Sequence, residues 1–319
     1  METNSPTLPE EDYQRALDFL ATNKPEACLE VQLPIDKYEE LVCHAQSLYG
    51  EKKYPYVDYW PDKSMVIIYT APSPLLGIFS AGLQFELCSV AKDELIRRNM
   101  PELARKLKPF GASSHRPMFG GYSSRISKVP DGGLIYTLNN EDLLTVVIET
   151  GLSEKYEKLQ NDARLWLDGA HCQMAIVVCF QEQPKFKYPK KPARYASLEN
   201  YDGFANAIKN TSTQNPFGPY TYNGHTWFGK LHEVFAVAFK RDENGSTTQS
   251  EPYWLVRDGT FLVQDDKLDI GVTFGDIVPR NEAGSANIRT MSLKFDTEDI
   301  NELLVSGARR TASCRFRAK

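Results

Sequence analysis

At 319 residues, 41% of them hydrophobic and 11% aromatic, the chain holds enough core material to exclude global disorder, and it fits either two domains or one α/β core with large insertions. A formal charge of −5 excludes a uniformly basic nucleic-acid coat while leaving room for a local basic patch. No stretch is apolar for 18 residues, the first residues form neither a basic nor an apolar leader, and the six cysteines show no Cys-x-x-Cys spacing. An intracellular, reducing setting (cytoplasm or nucleus), no membrane span and buried free thiols, among them Cys43, Cys88 and Cys179, are therefore expected.

Residues 9–22 and 36–49 carry apolar side chains at helical spacing and predict an N-terminal helical extension over 1–60. After a tyrosine-rich stretch from Tyr54 to Trp60, residues 64–69 read as a strand opening a core expected over 61–183. Pro72-Ser73-Pro74 leads into a long helix to about Asn99, with Leu76, Phe79, Leu83, Leu87 and Val90 on one face. Glu86, the acid in its apolar half, is either a neighbour of a metal site or a boundary residue on the polar side. Pro101 starts a short helix to Lys108. His115 and Arg116 fall in a loop rich in Gly, Ser and Pro, and a strand follows over 122–127.

Two strand-forming runs, 134–136 and 143–148, flank turn material over 138–142. Ser153 as N-cap then opens a helix that buries Tyr156, Leu159, Ala163, Trp166 and Leu167 and leaves Lys155, Lys158, Asp162 and Arg164 nearer its rim. Residues 173–181, apolar on both faces, read as an interior strand. A hairpin, a crossover helix and a further strand predict an α/β (α+β) architecture, a mixed β-sheet flanked by helices.

Periodicity fades over 184–230, which reads as an irregular insertion, including a loop over 210–222. Lys185, Lys187, Lys190, Lys191 and Arg194 alternate there with Phe186, Tyr188 and Tyr195, a composition that suits phosphate contact and base stacking, and equally a solvated loop. His225 and His232 have no third ligand near them in sequence and do not make a metal site. Strands over 233–241, 253–256, 260–263 and 268–274, with a hairpin turn at Asp258-Gly259, form a β-rich C-terminal extension over 231–319. A final helix from Asp296 or Thr297 to about Arg310 precedes a basic tail, Arg315, Arg317 and Lys319, that reads as an end fraying in solvent.

The hairpin carries the chemistry. If its turn is centred on Asn140, position 131 falls opposite position 149, and directly opposed residues share a face about 5 Å apart at Cβ. Asp131 and Glu149 would then be paired carboxylates at one sheet end. Their repulsion is relieved by a proton, by a cation, or by water at the strand ends. A divalent metal on oxygen ligands is the functional reading, and a solvated hairpin mouth is the structural one.

Pro130-Asp131, an intervening strand, Glu149-x-Gly151 and the run Gly151-Leu152-Ser153-Glu154-x-Tyr156-Glu157-x-Leu159-x-x-Asp162-Ala163-x-Leu165-Trp166-Leu167 resemble the PD-(D/E)xK nuclease-like domains common in uncharacterised fungal proteins. They are more distantly similar to Uma2-type restriction-endonuclease-like proteins. Pro72-Ser73-Pro74-Leu75 and the later Leu268-Asp269-Ile270-Gly271-Val272 run ending at Gly275-Asp276 look like the same family. The resemblance covers about residues 64–181 well and extends weakly to 280. It implies a restriction-endonuclease-like core and, in active members, Mg²⁺- or Mn²⁺-dependent hydrolysis of DNA or RNA, with Asp131 and Glu149 as metal ligands. The family's lysine, two residues past the glutamate, is Gly151 here, and the resemblance leaves Lys155 or Lys158, preferably Lys158, as a migrated ammonium. The first-helix acid is also missing, because Leu76-Gly77 stand in its place and Glu86 lies about 13 Å further along a helix. Those departures keep a second reading open, a catalytically lapsed module that binds nucleic acid or protein. A small-molecule hydrolase has little support, since no Gly-x-Ser-x-Gly elbow appears.

Overall fold

The computed structural model describes residues 8–22, 28–49, 55–60, 63–70, 73–110, 129–153, 155–169, 172–187, 198–241, 246–279, 282 and 286–317. The chain divides into two compact units, one of residues 1–73 with 122–128 and one of 74–121 with 129–319. The loop with His115 and Arg116, the strand expected over 122–127, and Lys190, Lys191, Arg194 and Lys319 lie outside the described residues.

The first unit is an α+β layer, not the helical extension expected. α1 (Leu8–Thr22) and α2 (Ile35–Tyr49) accompany three antiparallel strands, β1 (Cys28–Gln32), β2 (Tyr56–Trp60) and β3 (Met65–Tyr69), in the order β1-β3-β2. The strand at 56–60, not expected from the tyrosine-rich stretch, buries Val57 and Tyr59 by alternation, and Tyr59 stacks on Tyr38 of α2 at 5.0 Å. Cys43 is exposed on α2, against the expectation of burial, whereas Cys88, Cys172 and Cys179 are buried.

In the second unit, α3 (Pro74–Arg97) leads to α4 (Pro101–Lys106), β4 (Leu107–Pro109), β5 (Gly132–Leu138), β6 (Glu141–Leu152), α5 (Tyr156–Gly169) and β7 (Met174–Gln183). The short helix thus stops at Lys106, and Leu107 turns inward to pair with Tyr136 as the start of an edge strand. There follow α6 (Leu198–Gln214), β8 (Tyr220–Tyr222), β9 (His225–Phe228), β10 (Lys230–Arg241), β11 (Thr247–Gln249), β12 (Tyr253–Arg257), β13 (Thr260–Phe261), β14 (Lys267–Leu268), α7 (Phe274–Ile277), α8 (Ala286–Arg289), β15 (Phe295–Asp296) and α9 (Thr297–Arg317).

Among the described residues the main sheet has eight strands in the order β13-β12-β10-β7-β6-β5-β4, with β11 also on β10. The neighbours run antiparallel except β6 and β7, so the architecture is mixed, flanked by helices, as the hairpin-crossover pattern predicted. A parallel pair needs a crossover, and α5 supplies it.

The two faces of the sheet are buried differently. Leu134, Val146, Ile148, Met174, Ile176, Val178 and Phe180 join the large core beneath α3 and α9, where Phe79 meets Phe180 edge-on at 5.1 Å. α3 is long and apolar enough by composition to cross a membrane, yet its Leu75, Phe79, Leu83 and Leu87 are packed in this core. α9 lies close against it: the Thr311 hydroxyl accepts a hydrogen bond from the Leu75 amide at 2.9 Å, and at Gly307 an added Cβ would stand 3.1 Å from the Leu75 Cα. The opposite face presents Val147, Glu149, Ala175 and Val177 by alternation, and α5 packs there on β6, β7 and β10.

Several expectations fail for local reasons. α6 occupies residues read as a loop, because Phe204 and Ile208 bury a helical stripe inside an Asn- and Thr-rich sequence. Of the strand expected over 268–274, Leu268 ends β14, Thr273 forms a bridge and Phe274 starts α7, whose Asp276 carboxylate closes a capping box on Thr273. β13 likewise stops at Phe261. α9 continues to Arg317 with Arg315 buried, so this part of the tail does not fray.

Candidate functional site

The site begins with a turn. Asn139 and Asn140 both take left-handed φ, 51° and 67°, a two-residue hairpin turn for which Asn is among the few suitable residues after Gly. The turn is therefore centred half a residue earlier than expected. Left uncorrected, that ladder would oppose residue 131 to residue 148. A bulge intervenes: pairing runs from Leu138↔Glu141 to Ile135↔Leu144, skips Thr145, and resumes from Leu134↔Val146 to Gly132↔Ile148. The ladder ends at that pair, one residue short of Asp131 and Glu149.

Asp131 sits just before β5, where the partner of the emerging β6 backbone is lost. Its Oδ2 accepts hydrogen bonds from the Thr150 amide at 2.9 Å and the Thr150 hydroxyl at 2.7 Å, so the side chain continues the ladder that the backbone ends. Glu149 is 6% exposed, and its Oε1 accepts a hydrogen bond from the Trp166 indole of α5. Each carboxylate is thus anchored through one oxygen to a donor on β6 or α5. Burying a carboxylate is costly unless donors and a counter-charge accompany it.

α5 carries such a charge. Lys158, Asp162 and Trp166 are spaced one turn apart and form a line along the helix, at 8%, 4% and 0% exposure. Lys158 and Asp162 are therefore not rim residues, as the amphipathic pattern suggested. They share the buried face whose tryptophan reaches Glu149. Ser153 does not cap the helix, which starts at Tyr156; it has a left-handed φ of 54°, and its Oγ accepts the Glu182 amide at 3.3 Å. Gly151, two residues past Glu149, is buried beside Cys179 of β7.

Glu86 belongs elsewhere. It faces Asp299, Asp296 and Lys267, and its carboxyl is pushed above the usual range by burial and then by those two acids. The α3 residue that reaches the hairpin mouth is Gln84, which the sequence reading missed: its Oε1 accepts the Gly133 amide at 2.9 Å. A polar residue among Leu83, Phe85 and Leu87 was the available signal. Asp276 serves the capping box and an ion pair with Lys240 at 2.6 Å. His232 lies near Asp258 and Glu233, and among the described residues no group of three or more His, Cys, Asp or Glu could hold a metal ion.

Of the basic segment, Lys185 and Lys187 are described. The Lys185 ammonium donates to the Ser153 carbonyl at 3.1 Å, which ties the exit of β7 to the exit of β6. The buried basic residue that sequence reasoning left in solvent is Arg315, in a bidentate ion pair with Glu182 at 2.7 and 3.0 Å. Compared with protein-family models, curated proteins and solved structures, the chain matches none.

Proposed function

We propose that this protein is a metal-dependent phosphodiesterase acting on DNA or RNA through a PD-(D/E)xK-like site built from Asp131, Glu149 and Lys158. The observation that supports the reading is that Asp131 bonds to Thr150, the neighbour of Glu149, while Trp166 ties Glu149 to the α5 face that bears buried Lys158.

Two carboxylates with oxygen donors only suit Mg²⁺ or Mn²⁺, ions that take one or two protein carboxylates and keep several waters. Asp131 and Glu149 would hold the ion, which when bound supplies charge neutralisation at the phosphate and lowers the pKa of the attacking water. Thr150 and Trp166 keep the two carboxylates in place by their hydrogen bonds. Lys158 contributes a positive charge for the oxygens of the phosphorus centre. In net terms one P–O ester bond is exchanged for a bond to the water oxygen, and a proton from that water ends on the leaving oxygen.

Purified protein is expected to bind Mn²⁺ in calorimetry and to cleave a labelled oligonucleotide with it. Asp131→Ala and Glu149→Ala should each abolish both, and Lys158→Met should abolish cleavage while sparing Mn²⁺ binding. Unchanged cleavage in either acid variant removes the mechanism. The buried Gly151 favours a second reading, a lapsed enzyme that binds without cutting. Salt-sensitive nucleic-acid binding with no turnover in any divalent ion would select it.

A further inference from the structure

A cavity of about 260 Å³ opens at the exit of β7, lined by Pro184, Lys185, Phe186 and Lys187 and by Gly224, His225 and Thr226. Its volume lies just under the roughly 300–1,000 Å³ of small-molecule pockets, room for one nucleobase and its sugar. Two ammonium groups and two ring side chains line it, and no carboxylate does. Such walls select an anion that carries a flat ring.

Its position is fixed by bonds to the strand that bears Glu149. Ser153 donates its amide to the Phe180 carbonyl at 2.7 Å, accepts the Glu182 amide on its hydroxyl, and accepts the Lys185 ammonium on its carbonyl. Ser153 is four residues past Glu149, about 13 Å along a strand, a span of a few nucleotides. The aromatic wall is braced from within. The Arg315 guanidinium stacks 4.3 Å from the Phe186 ring centre and is itself locked to Glu182, so this ring is held in position. His225 packs edge-on to buried Trp227 at 6.2 Å.

We propose that this cavity is a subsite for one unstacked nucleotide, with the base against Phe186 and His225 and a phosphate on Lys185 and Lys187. A base inside a duplex is stacked and paired and cannot enter, so the subsite selects single-stranded nucleic acid. As a statement about substrate, the inference rests on the nuclease reading; as a statement about binding, it can be tested apart from it.

The test uses the full-length Asp131→Ala/Glu149→Ala protein in EDTA, where cleavage is silent, and fluorescence anisotropy with a labelled twelve-nucleotide oligothymidylate. Three further probes are the same strand in duplex, the same backbone without bases, and an acidic peptide of equal charge. The single strand should bind about fivefold or more tighter than the duplex and the base-free backbone, since a stacked base contributes a factor of that order. Lys187→Ala should weaken it and lower the slope of log K against log salt by about 0.7, and His225→Ala should erase the preference for bases. Lys209→Ala, at an exposed position of α6, should leave both unchanged. Equal binding of single strand and duplex, indifference to Lys187→Ala and His225→Ala, or stronger binding of the peptide overturns the subsite. If the single-strand preference and its loss in the variants hold but the wild type never cleaves, the subsite stands and the nuclease reading falls. Cleavage without that preference has the reverse meaning.

Discussion

Replacing Arg315 by methionine should cost the protein about 3–5 kcal/mol, the range for stranding one member of a buried ion pair. The magnitude follows from the geometry. The two side chains are 3% and 2% exposed, the two terminal guanidinium nitrogens each donate to one carboxylate oxygen, and the Glu182 Oε1 also accepts the Gly229 amide at 2.6 Å. Methionine fills most of the volume but leaves a buried carboxylate with one backbone donor in place of three. At about 2–4 °C per kcal/mol for a unit of this size, the melting point should fall by roughly 6–20 °C. Urea unfolding followed by tryptophan fluorescence measures it, with Trp227 beside the pair as reporter. The midpoint should drop with the slope unchanged. A Glu182→Met/Arg315→Met double variant should lose less than the two single losses combined, because it removes the stranded charge. A loss below about 1 kcal/mol in Arg315→Met, or strict additivity in the double variant, would refute the argument and return the end of α9 to solvent.

Gly307→Ala should destabilise by about 1–3 kcal/mol, since its Cβ meets the Leu75 backbone of α3, whereas Gly82→Ala meets only the movable end of Leu303 and gains helix propensity, so it should be close to neutral; equal effects in thermal melts would contradict this. Glu282 accepts hydrogen bonds from Lys106 and Tyr136, and these hold its carboxyl below the usual 4.5. A carboxyl lowered by folding stabilises above its unfolded pKa and loses that contribution as pH falls through the folded value. The stability gap between wild type and Glu282→Gln should therefore stay level from pH 7 to about 5 and close below about 4.5, and a gap that widens on acidification has the wrong sign.

The sequence made the sheet legible because each of its main signals is local. The continuous apolar run over 174–180 reads as an interior strand, Asp258-Gly259 reads as a hairpin turn, and both of its residues adopt left-handed φ. What escaped were features decided by partners far along the chain. Glu182 became the mate of Arg315, 133 positions away, and nothing near Arg315 distinguishes it from a frayed tail. α6 was hidden because its Asn and Thr residues mimic a loop when only composition is weighed. The ladder between the acids was only partly legible: the turn lies half a residue earlier than expected, and the step added at Thr145 restores the expected register up to Gly132 and Ile148. Lys158 and Asp162 escaped because an amphipathic count assigns charged residues to water, and no count can foresee a buried carboxylate beneath the helix.

The bulge at Thr145 gives the hairpin a rule of parity. Because side chains alternate along a strand, one residue gained or lost between the bulge and Glu149 turns that acid away from Trp166 of α5, while two leave it facing the helix. Variants of this hairpin can be sorted as odd or even before any is made.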